Sequence, residues 1–149
     1  MQATQSPCAL CESEGGELIY RHAKFRVIQA NEPLYPGFLR LIWNAHVREF
    51  SQLTRPDRLL CMDVLVVLET FVLNTLKADK VNLATLGNVV PHLHWHIIPR
   101  FVGDAHFPAP VWAACPEGAG LSSSQKHVLN GKQQWTEVLL ELLKESFPA

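Results

Sequence analysis

The segment that decides the fold is Pro91-His92-Leu93-His94-Trp95-His96-Ile97-Ile98-Pro99-Arg100, in which three histidines alternate with apolar residues. Alternate residues of an extended strand lie on the same face, so this spacing predicts a β-strand with the histidines on one face and the apolar residues on the other. The predicted strand covers residues 92–100. Same-face neighbours lie roughly 7 Å apart along a strand, which suits contacts along a polyphosphate better than three bonds to one metal ion.

Two other interpretations of the same histidines are an exposed edge strand and a metal site. A surface strand ordinarily contains Thr, Lys and Glu. The chain has seven histidines, and three of them at alternate positions are an improbable accident, which disfavours an exposed edge strand. Histidine is the commonest metal ligand among neutral side chains, so the sequence keeps the metal site open.

The length and composition restrict the class of protein. A chain of 149 residues fits a single domain over residues 1–149. Its 48% hydrophobic and 18% charged residues exclude a disordered chain. The net charge of −1 offers no general attraction to nucleic acid or to an anionic membrane, so we expect neither as a partner. Any phosphate recognition must therefore be local.

The location of the protein is expected to be cytoplasmic. Residues 1–11 lack the basic and apolar regions of a secretory signal. Residues 81–99 contain no Asp, Glu, Lys or Arg, but their Asn, Gly, Pro and His residues exclude a membrane span.

The remaining elements are predicted from hydrophobic periodicity. Short β-compatible runs occur at 17–20, 25–29, 38–43 and 81–85. A helix is predicted from the N-cap Thr54 to about Lys77, apolar around most of its circumference, and an amphipathic helix from about 132 to 147. The segment 103–124 is rich in Pro, Gly and Ser and is predicted to be irregular. The order of elements indicates an α+β fold with one long buried helix and a C-terminal helix.

A second motif, Cys8-Ala9-Leu10-Cys11, provides half of a zinc site. A gap of two residues lets two thiolates converge on one tetrahedral ion. Redox chemistry of the thioredoxin type would require a preceding strand, and nothing apolar precedes Cys8. An unmetallated pair remains the alternative.

The His-x-His-x-His pattern followed by Ile-Ile-Pro-Arg resembles the signature of the histidine triad (HIT) superfamily of nucleotide hydrolases and transferases. Asn31-Glu32-Pro33-Leu34-Tyr35-Pro36-Gly37 and Trp43-Asn44-Ala45-His46 extend the similarity to a bacterial, diadenosine tetraphosphate hydrolase-like branch. The resemblance implies a HIT-like fold with an antiparallel sheet of about five strands. It covers a core at about residues 8–101, which leaves a C-terminal loop and helix at 102–149.

The resemblance also implies roles for individual residues. His94, the middle histidine, matches the nucleophile that forms a nucleotidyl-histidine, and His96 would donate to a phosphate or leaving oxygen. Asn82 and Asn88 would contact phosphate oxygens. Asn31 matches the residue that holds the ribose hydroxyls, although Asn beside a proline is also a turn former.

Phe38 is a departure from the family pattern. Many members have a fourth histidine directly after Pro-Gly, where this chain has Phe38, and His46 lies eight residues too late to replace it. Phe38 is therefore counted among the candidate substrate-binding residues. The loop histidine His106 has two interpretations, contact with the ligand from the loop after the triad and simple solvation, of which solvation is the commoner for a loop histidine and is the expectation.

Several family members complete the zinc site with the residues that match His46 and His92. The resemblance thus implies a structural Zn²⁺ held by Cys8, Cys11, His46 and His92. We expect a homodimeric hydrolase or nucleotidyl transferase that acts on nucleoside 5′-phosphate conjugates, such as dinucleoside polyphosphates or phosphoramidates. The alternative is a catalytically weak nucleotide-binding or zinc-stabilised interaction protein.

Overall fold

The computed structural model describes residues 7–149, within which five strands form one antiparallel sheet flanked by helices. The elements in chain order are α1 (Ala9–Glu12), β1 (Glu17–Arg21), β2 (Phe25–Gln29), β3 (Leu39–Trp43), a 3₁₀ turn (Phe50–Gln52), α2 (Arg55–Asn74), β4 (Lys80–Ala84), β5 (His94–Arg100), α3 (Ser123–Asn130) and α4 (Lys132–Ser146). The strand order across the sheet is β1-β2-β3-β5-β4. The α+β, HIT-like architecture predicted from the sequence is confirmed.

The main hydrophobic core lies between one face of the sheet and the helices α2 and α4. Alternate residues of β2, β3 and β5 point into it, and Leu65, Leu68, Leu139 and Leu143 meet them from the helices. The opposite face carries a smaller apolar cluster that consists of Leu10, Ile28, Ala30, Tyr35, Phe38, Ile42 and Ile98. Because side chains alternate along β5, the face with this smaller cluster also carries His94 and His96.

Helix α2 begins where the sequence predicts and ends earlier. The Thr54 side chain accepts a hydrogen bond from the Asp57 N–H, as expected of an N-cap. The helix ends at Asn74 rather than near Lys77, since Lys77 has a φ of 60°, outside the helical region. Leu59 and Val66 are 51% and 62% exposed, so burial around most of the circumference is not reached within one chain.

The start of β5 differs from the predicted strand over 92–100. Regular pairing begins at His94, and His92 lies in the bend before it, fully buried. The Leu93 N–H donates to the Val47 carbonyl, which ties this bend to the segment after β3. The first histidine therefore does not share the strand face of the other two.

The C-terminal segment contains one helix that the sequence analysis missed. Residues 103–122 are irregular, as expected, but α3 starts at Ser123 inside the predicted loop. Ser122 and Gln125 cap it reciprocally, each side chain bonding the backbone N–H of the other. The sequence contains this capping signal, Ser122 followed by Gln125. The helix was nevertheless missed, because eight residues show only a weak hydrophobic periodicity.

Gly37 sets the chain direction into β3. Its φ is +83°, and a Cβ at this position would lie 2.7 Å from Leu76 Cδ1 and 3.2 Å from Val128 Cγ1. Glycine is thus required both for the left-handed backbone and for the close approach of Leu76, just after α2, and Val128 of α3.

Among the helices formed by residues 7–149, none has the length and apolar character needed to span a membrane.

Candidate functional site

The candidate reacting face of the sheet, which carries His94 and His96, is built from β3 and β5. In their antiparallel register Arg40 lies opposite His96, and Ile42 lies opposite His94. The His94 and His96 rings are 5.1 Å apart between centroids and nearly perpendicular. The register therefore places two imidazoles, one guanidinium and an apolar floor on adjacent positions.

His94 has one ring nitrogen fixed by the backbone. Its Nδ1–H donates to the His92 carbonyl oxygen at 2.6 Å, so the neutral ring keeps a lone pair on Nε2. The side chain is largely buried, with 9% of its residue surface exposed. Burial lowers the pKa of His94, and the nearby Arg40 charge lowers it further. The neutral form of His94, with its lone pair on Nε2, is therefore favoured near pH 7.

His96 is held in the complementary tautomer. Arg40 Nε–H donates to His96 Nδ1 at 3.4 Å, which leaves the proton of the neutral ring on Nε2. Burial lowers the pKa of His96 to about 4, with further contributions from His94 and Arg40. His96 can therefore donate a hydrogen bond from Nε2 at neutral pH without carrying a charge.

Phe38, the residue just before β3, borders this pair. Its ring meets the His96 ring edge-on, with centroids 5.7 Å apart, and the Arg40 guanidinium carbon lies 5.6 Å from the Phe38 ring centroid. The side chain is buried in the smaller apolar cluster. Phe38 thus touches the reacting face but brings no hydrogen-bonding group to it.

Four side chains converge next to α1, where β3 ends and β5 begins. Ligand atoms of Cys8, Cys11, His46 and His92 all lie within 4.8 Å of one another. His92 Nδ1 lies 3.3 Å from Cys8 Sγ and 3.2 Å from His46 Nδ1. Around a tetrahedral zinc ion, standard bond lengths place sulfur and nitrogen about 3.5 Å apart and two nitrogens about 3.3 Å apart. The donor set and its spacing therefore fit a metal site.

The tautomer of His92 supports the same conclusion. Its Nε2–H donates to the Trp43 carbonyl oxygen at 2.6 Å, which directs the lone pair of Nδ1 towards the two cysteines. Burial lowers the pKa of His92, so the ring is neutral, as a metal ligand must be. His92 lies in a bend rather than in β5, and this bend turns its ring towards the cluster of Cys8, Cys11 and His46.

The three predicted asparagines lie on different segments. Asn82 pairs with Ile98 in the register of β4 and β5, on the sheet face that carries His94 and His96. Asn82 Oδ1 accepts from Arg100 Nη1 at 2.8 Å. Asn88 is exposed in the loop between β4 and β5, and Asn31 lines a groove of about 380 Å³ whose other wall includes Lys132. Within residues 7–149 no hydrogen bond joins these asparagines to His94 or His96.

A buried ion pair organises the loop after β5, and the sequence analysis missed it. Arg100 donates from Nε and Nη2 to the Asp104 carboxylate at 2.8 and 3.1 Å. The carboxylate also accepts the backbone N–H groups of Phe101, His106 and Phe107. Burial alone would raise the pKa of Asp104, but these hydrogen bonds outweigh it and lower that pKa. The sequence signal for this ion pair was the position of Asp104, four residues after Arg100 at the end of β5.

His106 is buried rather than solvated, contrary to expectation. It is 8% exposed, its Nδ1 is hydrogen-bonded to the Tyr35 hydroxyl, and the two rings are stacked. Tyr35 lies in the smaller apolar cluster, and burial raises its pKa to about 12. The loop after β5 is thereby attached to the segment that leads into β3.

Comparison with known proteins gives a family match. Residues 13–103 match the sequence model described as the HIT domain. Bis(5′-adenosyl)-triphosphatase of Saccharomyces cerevisiae is 32% identical over 99 residues, which cover 59% of this chain and 48% of that protein. The chain thus spans about half the length of the curated relatives that it matches.

Solved structures of histidine triad proteins share the fold. The protein from Bradyrhizobium japonicum is 26% identical with a TM-score of 0.71, over 89% of this chain and 96% of that one. A protein from Sinorhizobium meliloti is 25% identical with a TM-score of 0.70, over 94% and 98%. A protein from Mycobacterium smegmatis, described as Zn-bound, is 18% identical with a TM-score of 0.56, over 93% and 94%, and shows a likeness of fold alone.

Proposed function

The chain belongs to the HIT domain family, and from this premise we propose that it hydrolyses or transfers the nucleotidyl group of nucleoside 5′-phosphate conjugates. His94 acts as the nucleophile and His96 as a hydrogen-bond donor to a phosphate or leaving oxygen. The observation that carries the proposal is the 2.6 Å hydrogen bond from His94 Nδ1 to the His92 carbonyl, because it leaves a nucleophilic lone pair on Nε2.

The reaction proceeds in two displacements. His94 Nε2 attacks the α-phosphorus, an N–P bond forms, and the P–O bond breaks with its electron pair on the leaving oxygen. The positive charge that develops on the ring is stabilised through Nδ1–H by the His92 carbonyl. Water then attacks phosphorus, the N–P bond breaks with its electron pair on Nε2, and a water proton passes to solvent.

Four further residues are proposed to bind the nucleotide. Asn31 binds the ribose hydroxyls from its groove, and Asn88 contacts phosphate oxygens from its exposed loop. Asn82 retains its amide N–H groups for a phosphate oxygen while its Oδ1 is held by Arg100. Phe38 packs beside the reacting histidines.

The covalent intermediate provides the direct test. The protein is mixed with diadenosine triphosphate, stopped in denaturant at alkaline pH, where N–P bonds survive, and its intact mass is measured while released AMP is quantified. We expect an adenylyl adduct on His94 and stoichiometric AMP. The name of the yeast relative supports this choice of substrate. AMP binding without adduct or AMP release would instead identify a non-catalytic binding protein.

We further propose that Cys8, Cys11, His46 and His92 hold one structural Zn²⁺ per chain. When bound, the ion cross-links α1, the segment after β3 and the bend before β5. Cross-links between segments distant in sequence stabilise the folded state, because the site does not exist in the unfolded chain. The Zn-bound neighbour is in accord with this proposal.

Metal analysis tests the zinc proposal. Protein purified without added metal is expected to contain close to one equivalent of zinc by elemental analysis, and a strong chelator is expected to lower the melting temperature. Cys8→Ser should lose the metal, whereas the exposed Cys115→Ser should keep it and serves as the control. Metal-free wild-type protein, or a melting temperature unchanged by the chelator, would contradict the proposal.

The homodimer and the cytoplasmic location stay predictions. The exposed apolar side chains of α2, Leu59, Val66 and Leu73, are in accord with contact to a second copy.

A further inference from the structure

Arg40 is a cation in an otherwise apolar strand, and its side chain lies on the reacting face. It stands directly opposite His96 in the register of β3 and β5. Its side chain is 25% exposed, so the guanidinium is neither buried in the core nor free in solvent. Its guanidinium contacts His96 directly, since Nε lies 3.4 Å from His96 Nδ1.

The contacts of Arg40 leave most of its hydrogen-bonding capacity available. Nε donates to His96 Nδ1 at 3.4 Å, and Nη2 lies 3.7 Å from Glu32 Oε1. Glu32 is 45% exposed, and an ion pair of this length at the surface is weak. A guanidinium has five N–H donors arranged as a planar fork that matches phosphate oxygens. An anion at this site could therefore displace Glu32 and be bound by the fork.

Phe38 fixes the position of this cation. The guanidinium carbon lies 5.6 Å from the Phe38 ring centroid, within the range of a cation–π contact. The Phe38 ring is itself locked, since it is buried and meets the His96 ring edge-on. The phenyl ring and His96 together hold the guanidinium in one orientation beside the reacting imidazoles.

We propose that Arg40 is a further catalytic residue, which binds the leaving phosphate and makes the site selective for nucleoside polyphosphates over nucleoside phosphoramidates. The inference rests on the proposed function. When the P–O bond breaks, negative charge accumulates on the bridging oxygen of the departing phosphate, and a fixed guanidinium stabilises that charge.

The selectivity follows from what a guanidinium can and cannot do. In a phosphoramidate the P–N bond breaks and the amine must take up a proton as it leaves. Arg40 remains protonated throughout and cannot supply that proton. A departing phosphate needs charge neutralisation rather than a proton, and this is what Arg40 offers. Arg40 therefore assists one class of leaving group and not the other.

The experiment compares turnover of diadenosine triphosphate and adenosine 5′-phosphoramidate. Arg40→Met keeps the length of the side chain and removes the charge, and it is expected to lower kcat for the triphosphate by about 100-fold or more. The phosphoramidate kcat is expected to fall at least about tenfold less than the triphosphate kcat. Loss of the hydrogen bond to His96 Nδ1 affects both substrates, but Arg40 gives the amine leaving group no proton. Arg55→Met, which removes a charge from the exposed start of α2, is the matched control and should leave both rates unchanged.

Arg40→Lys covers the case in which Arg40→Met does not fold, as judged by its melting curve. Lysine keeps the charge without the fork and is expected to lower triphosphate turnover about tenfold, with a smaller loss of phosphoramidate turnover. The role of Arg40 would be overturned if its variants lost turnover equally on both substrates, or lost none. It would also be overturned if Arg55→Met lost as much turnover as Arg40→Met, or if the wild type acted on the phosphoramidate alone. A wild type that releases AMP from neither substrate would instead overturn the proposed function.

Discussion

Replacement of His94 by alanine is expected to lower turnover of diadenosine triphosphate by at least about 1,000-fold while the Kd for AMP changes by less than about tenfold. The nucleophile forms its bond only along the reaction coordinate, so its loss removes transition-state stabilisation rather than ground-state binding. Alanine has no lone pair at the position of Nε2, and no second imidazole can replace it, since His96 has its proton on Nε2.

Two matched variants make the His94 result specific. His96→Ala removes a donor but not the nucleophile and is expected to reduce kcat less than His94→Ala does. His127→Ala, at an exposed position on α3, should leave kcat unchanged. The measurements are steady-state AMP release and AMP binding by calorimetry. Turnover of His94→Ala equal to that of the parent protein would refute the mechanism.

The sheet could be predicted from the sequence because local pattern and tertiary environment agree there. Each strand of the observed sheet coincides within two residues with a run of β-compatible side chains, from Glu17 to Arg100. Helix α2 was predictable at its start, where Thr54 caps it, and less so at its end, where the backbone of Lys77 turns left-handed. Caps are encoded locally, whereas that turn depends on packing against the sheet.

The alternation rule was right for His94 and His96 and wrong for His92. The two strand histidines share a face, but His92 precedes the strand and turns towards Cys8 and His46. A period of two assumes an unbroken strand. The bonds of the Leu93 N–H and His92 Nε2 to backbone carbonyls break the strand one residue before His94.

The sequence analysis assigned no role to Arg40, Arg100 or Asp104. Arg100 and Asp104 are only four residues apart, so a local signal existed for them, whereas the importance of Arg40 arises from strand pairing. Arg40 acquires its place only when the register sets it opposite His96, and strand register cannot be read from one strand alone. The hydrogen bond of Asn82 Oδ1 to Arg100 also depends on strand register, which brings β4 beside β5.

That network predicts the largest loss of stability for a single substitution. The Arg100 and Asp104 side chains are 3% and 0% exposed, so each charge depends on the other for compensation. Removing one partner of a buried pair leaves an uncompensated charge and typically costs about 3–5 kcal/mol. Asp104 contributes more to stability than Arg100 does, because its carboxylate also accepts hydrogen bonds from three backbone N–H groups of the loop after β5.

Asp104→Ala is therefore expected to lower the free energy of unfolding by about 3–5 kcal/mol in urea titrations. Asp104→Asn retains an acceptor for the loop N–H groups and should lose less, while Asp63→Ala on the exposed surface of α2 should change the stability by less than about 0.5 kcal/mol. The pKa of Asp104 is lowered in the folded state, so its contribution is present above the pKa of the unfolded carboxyl and is lost as the pH falls through the folded pKa. The stability difference between parent and Asp104→Ala should then be constant near neutral pH and shrink in acid. A difference that is small at neutral pH, or that grows in acid, would show that this ion pair does not hold the loop.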